Sequence, residues 1–372
     1  MNPVIGKSGQ SIFRLEDERL LKGEGRFIDN LNIKGQAYMH IVRSYCANAR
    51  IKIKNSKEVK KKLGVLDVFT GNNLMQDGIL PIPVTLPFKR PGGGPALSEP
   101  YHVLSHGTVR FVGQPLAIVV AESREQAHQA AEVLEVEYEE YPAVTGLLDA
   151  TEPEAPLLCS DLPDNIAASE TLGNQHKVEE IFSNAHHVTR LELINNRLVG
   201  SPLEPRGLIC DINPDDGKFT LHASHQSATR LHGFLCSIFK FQPEQLRVKV
   251  GDVGGGFGTK VSIYPEDVLV IYAAKKLKRP IKWTATRTEE FQASVHGRDH
   301  MNVAELACDP EGRILALKVN TLANTGAYLI NPALLIPLGL MSKVITSVYD
   351  IPAIFLETRC ILTNTAPIGA YR

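Results

Sequence analysis

The sequence predicts an α+β protein with two domains. Short runs rich in Val, Ile and Phe, bounded by glycine or polar residues, are typical of strands, and they occur in both halves of the chain. Helical patterns lie between them, and the clearest follows Ser123, with Gln126 at the capping-box position. A chain of 372 residues is also long enough to form two hydrophobic cores.

The first domain is predicted to cover residues 1–145, with its core at about residues 20–145. It should contain one helix, residues 123–135, and four strands, Ala37–Ser44, Gly64–Thr70, Val109–Ala121 and Val133–Tyr138. The segment Asp77–Pro100 carries six prolines and three consecutive glycines, so we expect a long exposed loop there.

The second domain is predicted over residues 175–372, after a polar, proline-containing linker at residues 146–174. Two helices are expected, Ser227–Phe239 and Pro265–Leu277. Four alternating segments predict strands, namely His187–Asn195, Gly207–Ile212, Lys218–Ala223 and Leu246–Val250.

The charge balance gives no reason to expect a nucleic acid or an acidic membrane as partner. The chain has 40 Lys and Arg against 41 Asp and Glu, a formal net charge of -1. The longest apolar stretch, Ala327–Met341, is interrupted by Asn331, Pro332 and Pro337 and is too short to cross a bilayer. We therefore expect a protein that is not inserted in a membrane.

The cysteines and the N-terminus favour a cytoplasmic protein. None of the six cysteines is spaced as CxxC, so neither an iron–sulfur cluster nor a structural zinc site is expected in this chain. Scattered cysteines of this kind suit a reducing compartment. The first twenty residues lack the apolar core of an export signal.

The segment Gly251–Lys260, GDVGGGFGTK, is the strongest candidate for a binding site. Three consecutive glycines after a strand allow backbone N–H groups to converge on an anion without obstruction by Cβ atoms. It is not a Walker A loop, because Thr259 and Val261 flank the lysine, and it lacks the third glycine of the dinucleotide motif. A purely structural glycine-rich turn is the alternative, and an unrelated nucleotide-binding protein is a remote one.

Several further motifs, read in order along the chain, resemble the molybdenum hydroxylase family, which includes xanthine dehydrogenase, aldehyde oxidase and the large subunit of aerobic carbon monoxide dehydrogenase. The resemblance covers essentially the whole chain. It implies an α/β hammerhead domain followed by the first part of a molybdopterin-binding domain. The motifs are RLEDERLLKGEGRFIDNL near the N-terminus, VRS at 42–44, VRFVGQPLAIVVAES at 109–123, SPLEPRG at 201–207, HQ at 225–226, DVGGGFGTK, HGRDH at 296–300 and NTAPIGAYR at 364–372.

The resemblance also implies which residues bind the cofactor. The family's glycine loop lies against the cofactor, and its positions are matched by Gly255, Gly256, Phe257 and Gly258. The family's glutamine, at the same spacing before that phenylalanine, is matched by Gln226, whose amide could donate to an oxo ligand or hold the pterin. Arg372 matches the arginine of the AYR segment close to the metal. Glu204 is expected to be a structural hydrogen-bond acceptor, and Asp252 a turn residue.

One departure from the xanthine-oxidising members concerns substrate. Those enzymes place a glutamate after the lysine of the glycine loop, where this chain has Val261. The continuation VSIYPED is similar to the carbon monoxide dehydrogenase-like branch, which disfavours a purine substrate. Oxidation of carbon monoxide itself depends on a cysteine directly after AYR, and the sequence ends at that point.

The resemblance implies an oxidoreductase that hydroxylates a small aldehyde or heteroaromatic compound, or oxidises carbon monoxide, with water as the oxygen source. Its cofactor is molybdenum–molybdopterin, expected in the cytosine dinucleotide form. Electrons would pass to 2Fe–2S clusters on a small subunit and to FAD on a medium subunit.

Family subunits continue past AYR to a glutamate that acts as the catalytic base, so no catalytic residue is assigned in this chain. We expect a fragment that is inactive in isolation, with a separate C-terminal half of the large subunit as a further candidate partner. The alternative is a truncated or split-gene half that serves only assembly or structure.

Overall fold

The computed structural model describes Gly9 and residues 13–371, and Arg372 lies outside this range. Its α-helices are α1 (Asp17–Leu21), α2 (Ser56–Val59), α3 (Gly71–Gln76), α4 (Arg124–Glu132), α5 (Gln175–Asn184), α6 (Ala228–Phe239), α7 (Pro265–Leu277), α8 (Arg287–Ala293), α9 (Asn331–Leu334) and α10 (Met341–Val344). A π-helical stretch, Leu335–Leu340, joins the last two. Single 3₁₀ turns occur at Ile28–Asn30, Asp149–Thr151, Pro243–Gln245 and Thr259–Val261.

The strands are short and occur throughout the described residues. They are β1 (Ala37–Arg43), β2 (Ala49–Ile53), β3 (Val65–Thr70), β4 (Thr108–Val109), β5 (Pro115–Ala121), β6 (Val136–Glu140), β7 (Ile166–Gly173), β8 (His187–Asn195), β9 (Leu198–Val199), β10 (Gly207–Ile212), β11 (Phe219–Ala223), β12 (Leu246–Lys249), β13 (Ile281–Thr284), β14 (His296–Gly297), β15 (His300–Cys308), β16 (Ile314–Gly326) and β17 (Ile354–Leu362).

A seven-stranded mixed sheet runs through both predicted domains, in the order β12-β11-β10-β13-β1-β5-β3. The join is the parallel pair β1 and β13, in which Ala37 lies opposite Ile281. One hydrophobic core contains Met39 and Ile118 from the first half together with Leu208 and Trp283 from the second. The proposed boundary near residue 145 therefore does not coincide with an edge of this sheet or of this core.

A five-stranded sheet, β7-β17-β16-β15-β8, forms the second large layer. Its edge strand β8 is solvent-exposed at every residue. Four of the exposed side chains are large and apolar, Val188, Leu191, Leu193 and Ile194. An exposed edge strand with apolar side chains is a template for pairing with another chain.

Helix α7 lies in the middle of the main core. Every residue from Pro265 to Ala274 is buried, and the run Val268–Ala274 lacks charged residues, as expected of a helix inside a hydrophobic core. Its first residue is a proline, which fits the first helical turn because the missing N–H would have no partner there. This burial places the Glu266 and Asp267 carboxyls inside the protein, directly below the glycine loop region.

Most predicted elements are confirmed. The bounds of β8, β10 and α7 are those predicted, and Ser123 caps α4 with reciprocal bonds to Gln126. The single strand predicted at Val109–Ala121 is wrong. It is two strands, β4 and β5, separated by a turn at Gly113, whose φ of 100° belongs to the left-handed region. The Gln114 side chain closes that turn by accepting a hydrogen bond from Arg110 N at 2.8 Å.

Two segments predicted as irregular make sheet contacts. The predicted linker contains β7, which pairs with β17 along its length. The loop Asp77–Pro100 is not fully exposed, because Ile82 is buried and the backbones of Lys89 and Leu97 bond to Ser169 and Ala167 in or beside β7. Sequence patterns describe local preference, whereas both segments are held by partners distant in the chain.

The apolar stretch Ala327–Met341 packs into the main core through Tyr328, Leu329 and Leu334. Within the part of the chain that the structure describes, no helix has both the length and the apolar character needed to cross a membrane.

We predict that the exposed edge of β8 promotes self-association of the chain. Ile194, which is 70% exposed, should tolerate replacement by glutamate, since a charge on an edge strand opposes pairing between strands. Ile194→Glu should reduce concentration-dependent light scattering and leave the melting temperature within a few degrees. Leu63→Glu is the matched control, because Leu63 is 92% exposed and lies outside any strand. Equal scattering by the two variants would argue against a role for the edge.

Candidate functional site

The glycine loop between β12 and the Thr259–Val261 turn requires backbone conformations that favour glycine. Gly255 and Gly258 have φ values of 98° and 94°, and Phe257 between them has a φ of 51°. A left-handed phenylalanine is uncommon and is maintained only where surrounding contacts fix the backbone. The loop therefore has a fixed conformation, which must be maintained by contacts with neighbouring residues.

The main anchor is the carboxylate of Glu204. Its Oε2 accepts hydrogen bonds from Gly254 N at 2.7 Å and Ser224 Oγ at 2.6 Å, and Lys260 Nζ lies 3.2 Å away. Its Oε1 accepts a bond from Ile28 N at 3.2 Å. The predicted role of Glu204 as a structural acceptor is confirmed.

Lys260 completes this anchor from inside the protein. Its side chain is fully buried and also donates to the Glu204 carbonyl oxygen at 2.7 Å and to Ser224 Oγ at 2.8 Å. Burial lowers the pKa of Lys260, and the charge of Glu204 opposes that shift. Because all three ammonium donors have acceptors, this lysine is a structural group and is not free to bind a ligand.

Gln226 is fixed against the loop at both ends. Its backbone N–H donates to the Lys260 carbonyl at 2.9 Å, and its side-chain Oε1 accepts a bond from Gly258 N at 3.0 Å. A Cβ at Gly256 would lie 2.5 Å from Gln226 Cδ, so the glycine provides the space in which this amide rests. The carboxamide is thereby oriented with its NH₂ group directed away from Gly258.

Several donors at the loop are left without an acceptor. Among the described residues, the backbone N–H groups of Gly255, Gly256 and Phe257 make no hydrogen bond, and neither does Gln226 Nε2. Consecutive backbone N–H groups in turns with positive φ form concave sites for anionic oxygens. Gly258 differs from its neighbours, because its N–H is already used to orient Gln226. The donor set therefore fits a ligand rich in oxygen acceptors.

The other predicted residues have different positions. Phe257 is 50% exposed, so its ring stands at the surface of the loop and does not pack in the core. Asp252 is more than a turn residue, since both of its oxygens bind Arg19 at 2.6 Å and one accepts a bond from Arg26 N at 2.7 Å. The hydrogen bonds from Arg19 hold the pKa of Asp252 well below its usual range. Arg372 lies outside the described residues.

An apolar cavity of about 520 Å³ begins where the glycine loop ends. Val261, Ser262 and Ile263, which follow the loop in sequence, form part of its wall, and Phe234 of α6 faces them. Leu335 and Ile336 of the π-helical stretch contribute to the lining. Cavities of this size and character are typical of sites for small organic molecules.

A buried cluster of charges lies beneath the loop and was not predicted. Arg206 binds Glu266 at 3.0 Å and Glu290 at 3.0 Å, and Arg43 binds the same Glu266 at 2.7 Å. Burial alone would raise the pKa of Glu266, but the charges of Arg206 and Arg43 outweigh it and lower that pKa. The Arg206 guanidinium also lies 4.0 Å from the centre of the Tyr264 ring.

Three of the structural residues had a signal in the sequence. Glu204 and Arg206 both belong to the motif SPLEPRG, and Lys260 ends the glycine motif. Nothing in the sequence indicated that Ser224 or Ile28 would meet them, because those contacts depend on the fold.

Comparisons with known proteins identify the family to which these features belong. Residues 159–372 match the model of the molybdopterin cofactor-binding domain, and residues 22–142 match the a/b hammerhead domain of aldehyde oxidase and xanthine dehydrogenase. The chain belongs to the molybdenum hydroxylase family. The fold implied by the resemblance, a hammerhead domain followed by a molybdopterin-binding domain, is thereby confirmed.

Relatives of this molybdenum hydroxylase chain include subunits of several bacterial oxidoreductases. It is 31% identical to the gamma subunit of the 6-hydroxypseudooxynicotine dehydrogenase complex of Paenarthrobacter nicotinovorans, covering 98% of this chain and 45% of the relative. It is 31% identical to the carbon monoxide dehydrogenase large chain of Hydrogenophaga pseudoflava, covering 96% of this chain and 45% of the relative. The chain thus spans about half the length of these relatives.

A solved structure with the same fold is quinoline 2-oxidoreductase from Pseudomonas putida 86. The TM-score is 0.89 with 32% sequence identity, covering 98% of this chain and 45% of that one.

The buried carboxyl of Asp267 gives a testable dependence of stability on pH. Burial raises the pKa of Asp267 to about 7, and the hydrogen bond from Tyr264 N opposes that rise. Since the folded pKa exceeds that of an exposed aspartate, the contribution of the protonated group is present below about pH 4 and lost as pH rises through about 7.

Asp267→Asn, which stays neutral, should therefore gain stability relative to the unsubstituted protein between about pH 5 and pH 8, by about 3 kcal/mol. Urea unfolding at the two pH values measures the difference. Asp215→Asn, at an exposed site, is the control and should show no such change. A constant difference for Asp267→Asn would contradict the assignment of a buried, protonated carboxyl.

Proposed function

We propose that this chain supplies the molybdopterin-binding part of an oxidoreductase that hydroxylates a small heteroaromatic compound or aldehyde, with water as the source of oxygen. The observation that carries the proposal is the set of donors without acceptors at the glycine loop. Three consecutive N–H groups, Gly255 to Phe257, and the NH₂ of Gln226 lie at one place, and the loop that presents them is held by buried contacts.

Each residue of the site has a separate task in this proposal. The N–H groups of Gly255, Gly256 and Phe257 would bind oxygen atoms of the cofactor, and Gln226 would donate to an oxygen from the opposite side. Gly258 holds Gln226 in the orientation needed. The exposed ring of Phe257 would cover the cofactor and exclude water from it. Arg372, at the AYR position, would add a planar pair of donors.

The bound cofactor would supply the redox chemistry, accepting two electrons from the substrate. The chain's own contribution is positional, since donors fixed before the ligand arrives need no reorganisation when charge develops on an oxygen. We assign no catalytic base among the residues of this chain.

The apolar cavity supports a ring-shaped substrate in preference to carbon monoxide. A volume of about 520 Å³ is far larger than a diatomic gas requires, and Val261 offers neither charge nor hydrogen bond at the end of the loop. The similarity to a quinoline 2-oxidoreductase also favours a heteroaromatic compound.

We further propose the cytosine dinucleotide form of the pterin, which mass analysis of the released nucleotide would identify. Iron–sulfur and FAD centres are proposed on separate small and medium subunits, supported by relatives named as subunits of complexes. A separate C-terminal half of the large subunit remains a further proposed partner. The free thiols of all six cysteines support a cytoplasmic location. The alternative, a half that serves only assembly or structure, predicts no binding of the cofactor by this chain.

A double-mutant cycle tests the cofactor site. Gln226→Ala removes a donor, and Gly256→Ala places a Cβ 2.5 Å from Gln226 Cδ, which should push the same amide aside. Each change, made in the complete enzyme complex, should lower turnover by ~10²–10³-fold. Because both act through one amide, the double variant should be little worse than either single variant.

Molybdenum content and melting temperature should be measured with turnover. Gly233→Ala is the matched control, because a Cβ there meets no atom within 4 Å. It should leave turnover and metal content unchanged. Normal turnover in Gln226→Ala with the metal retained would remove Gln226 from the site, and strictly additive losses would show that Gly256 acts independently of it.

Purines should be poor substrates of the complete enzyme. Recognition of a purine relies on polar partners, and the Val261 position provides none. We expect kcat/KM for xanthine to be lower than that for quinoline by ~10²-fold or more. Val261→Glu should narrow the gap, whereas Val261→Leu, which changes size without polarity, should not. Efficient turnover of xanthine by the unsubstituted enzyme would contradict the proposed substrate class.

A further inference from the structure

Among the residues that the structure describes, the cavity beside the glycine loop has one charged residue in its wall. Its lining is otherwise apolar or uncharged, and the exception is Arg230 of α6. Arg230 takes part in none of the ion pairs or side-chain hydrogen bonds found among the described residues. An arginine that faces an apolar cavity without a carboxylate partner can bind an anion with a planar pair of donors.

The polar groups near Arg230 in the cavity wall differ in whether they have hydrogen-bond partners. Asn331 and Thr85 bond to each other, through Thr85 N at 2.8 Å and Thr85 Oγ1 at 3.0 Å. Ser262 is different, because it is 5% exposed and its hydroxyl has no hydrogen-bond partner among the residues described. A buried hydroxyl without a partner is costly, so an acceptor supplied by a ligand would stabilise it. The cavity therefore offers a cation and an unused hydroxyl within apolar walls.

The position of Arg230 relates the cavity to the cofactor site. Arg230 and Phe234 lie four residues apart on one side of α6, and Gln226 lies two residues before the helix begins. The glutamine touches the glycine loop, and the other two line the cavity. A flat ring lying against Phe234 could thus reach towards the loop while a substituent meets the guanidinium.

We propose that the substrate of this enzyme is an aromatic or heteroaromatic carboxylate, and that Arg230 is the residue that selects for its anionic group. The inference rests on the proposed function, since the cavity is taken to hold the substrate of that reaction. Apolar walls accommodate the ring, and the guanidinium binds the carboxylate at the side of the cavity that opens to solvent, where Arg230 is exposed.

The proposal is tested by comparing the binding of two probes that differ by one carboxylate group. Quinoline and quinoline-4-carboxylate share one ring system, and equilibrium dialysis against the purified chain measures both affinities. The carboxylate should bind at least about tenfold more tightly, as expected for one charge-assisted contact. Arg230→Met should abolish this preference and leave the affinity for quinoline unchanged. Arg230→Lys should retain part of it, and Arg247→Met, at an exposed site on β12, should retain all of it.

Three results would overturn the proposal. They are equal affinity of the unsubstituted chain for the two probes, loss of affinity for both probes in Arg230→Met, and no binding of either probe. In the complete enzyme, Arg230→Met should raise KM for the carboxylate substrate with little effect on kcat, whereas Gln226→Ala lowers kcat. A failure of the cofactor site and a failure of the carboxylate assignment are therefore distinguishable, because the first leaves the binding preference in place.

Discussion

The carboxylate of Glu204 is the contact on which the site depends, because it joins segments far apart in sequence. Donors from Ile28, Ser224, Gly254 and Lys260 converge on its two oxygens. A carboxylate offers about four acceptor positions, so this one is close to saturated. Removing one partner of a buried ion pair typically costs about 3–5 kcal/mol, since the other charge is left without compensation. Such a centre holds the loop backbone rigidly, which explains how Phe257 keeps its left-handed conformation.

A second set of buried charges connects the two halves of the chain. It consists of Arg43, Arg206, Glu266 and Glu290. Arg43 belongs to β1, whereas Glu266 is the second residue of α7, and their contact crosses the proposed boundary near residue 145. An acidic residue in the first turn of a helix also interacts favourably with the helix dipole. Each carboxylate of the cluster has an arginine partner, so charges can lie within an apolar core without a large net penalty. The hammerhead half is therefore held to the rest by ion pairs as well as by the shared sheet.

The sequence predicted the helices and strands that are determined by interactions between residues close together in the chain. Helix α4 follows from its capping box and helix α7 from its proline start and apolar run, and both are observed. The sequence did not predict β7, because that strand exists through pairing with β17, almost two hundred residues later in the chain. At the site, the resemblance identified Gln226 and the glycines, and their roles as cofactor ligands stay predictions. The orientation of the Gln226 amide depends on its hydrogen bond with Gly258 N, which the spacing of residues in the sequence could not predict.

The glycines of the loop have different roles. Some allow close contacts that hold the loop in place, and others leave N–H groups available to a ligand. Gly254 permits the backbone to approach the Glu204 side chain, since a Cβ there would lie 2.5 Å from Glu204 Cβ. Gly256 provides the space for Gln226, and Gly258 orients its amide. The N–H groups between these fixed points are the ones without acceptors. Because Gln226 lies two residues before α6 and Arg230 lies in its first turn, a movement of this helix would displace the cofactor donor and the charged wall of the cavity together. The geometry that would bind the cofactor and the geometry that would select the substrate are thus coupled through the N-terminal end of one helix.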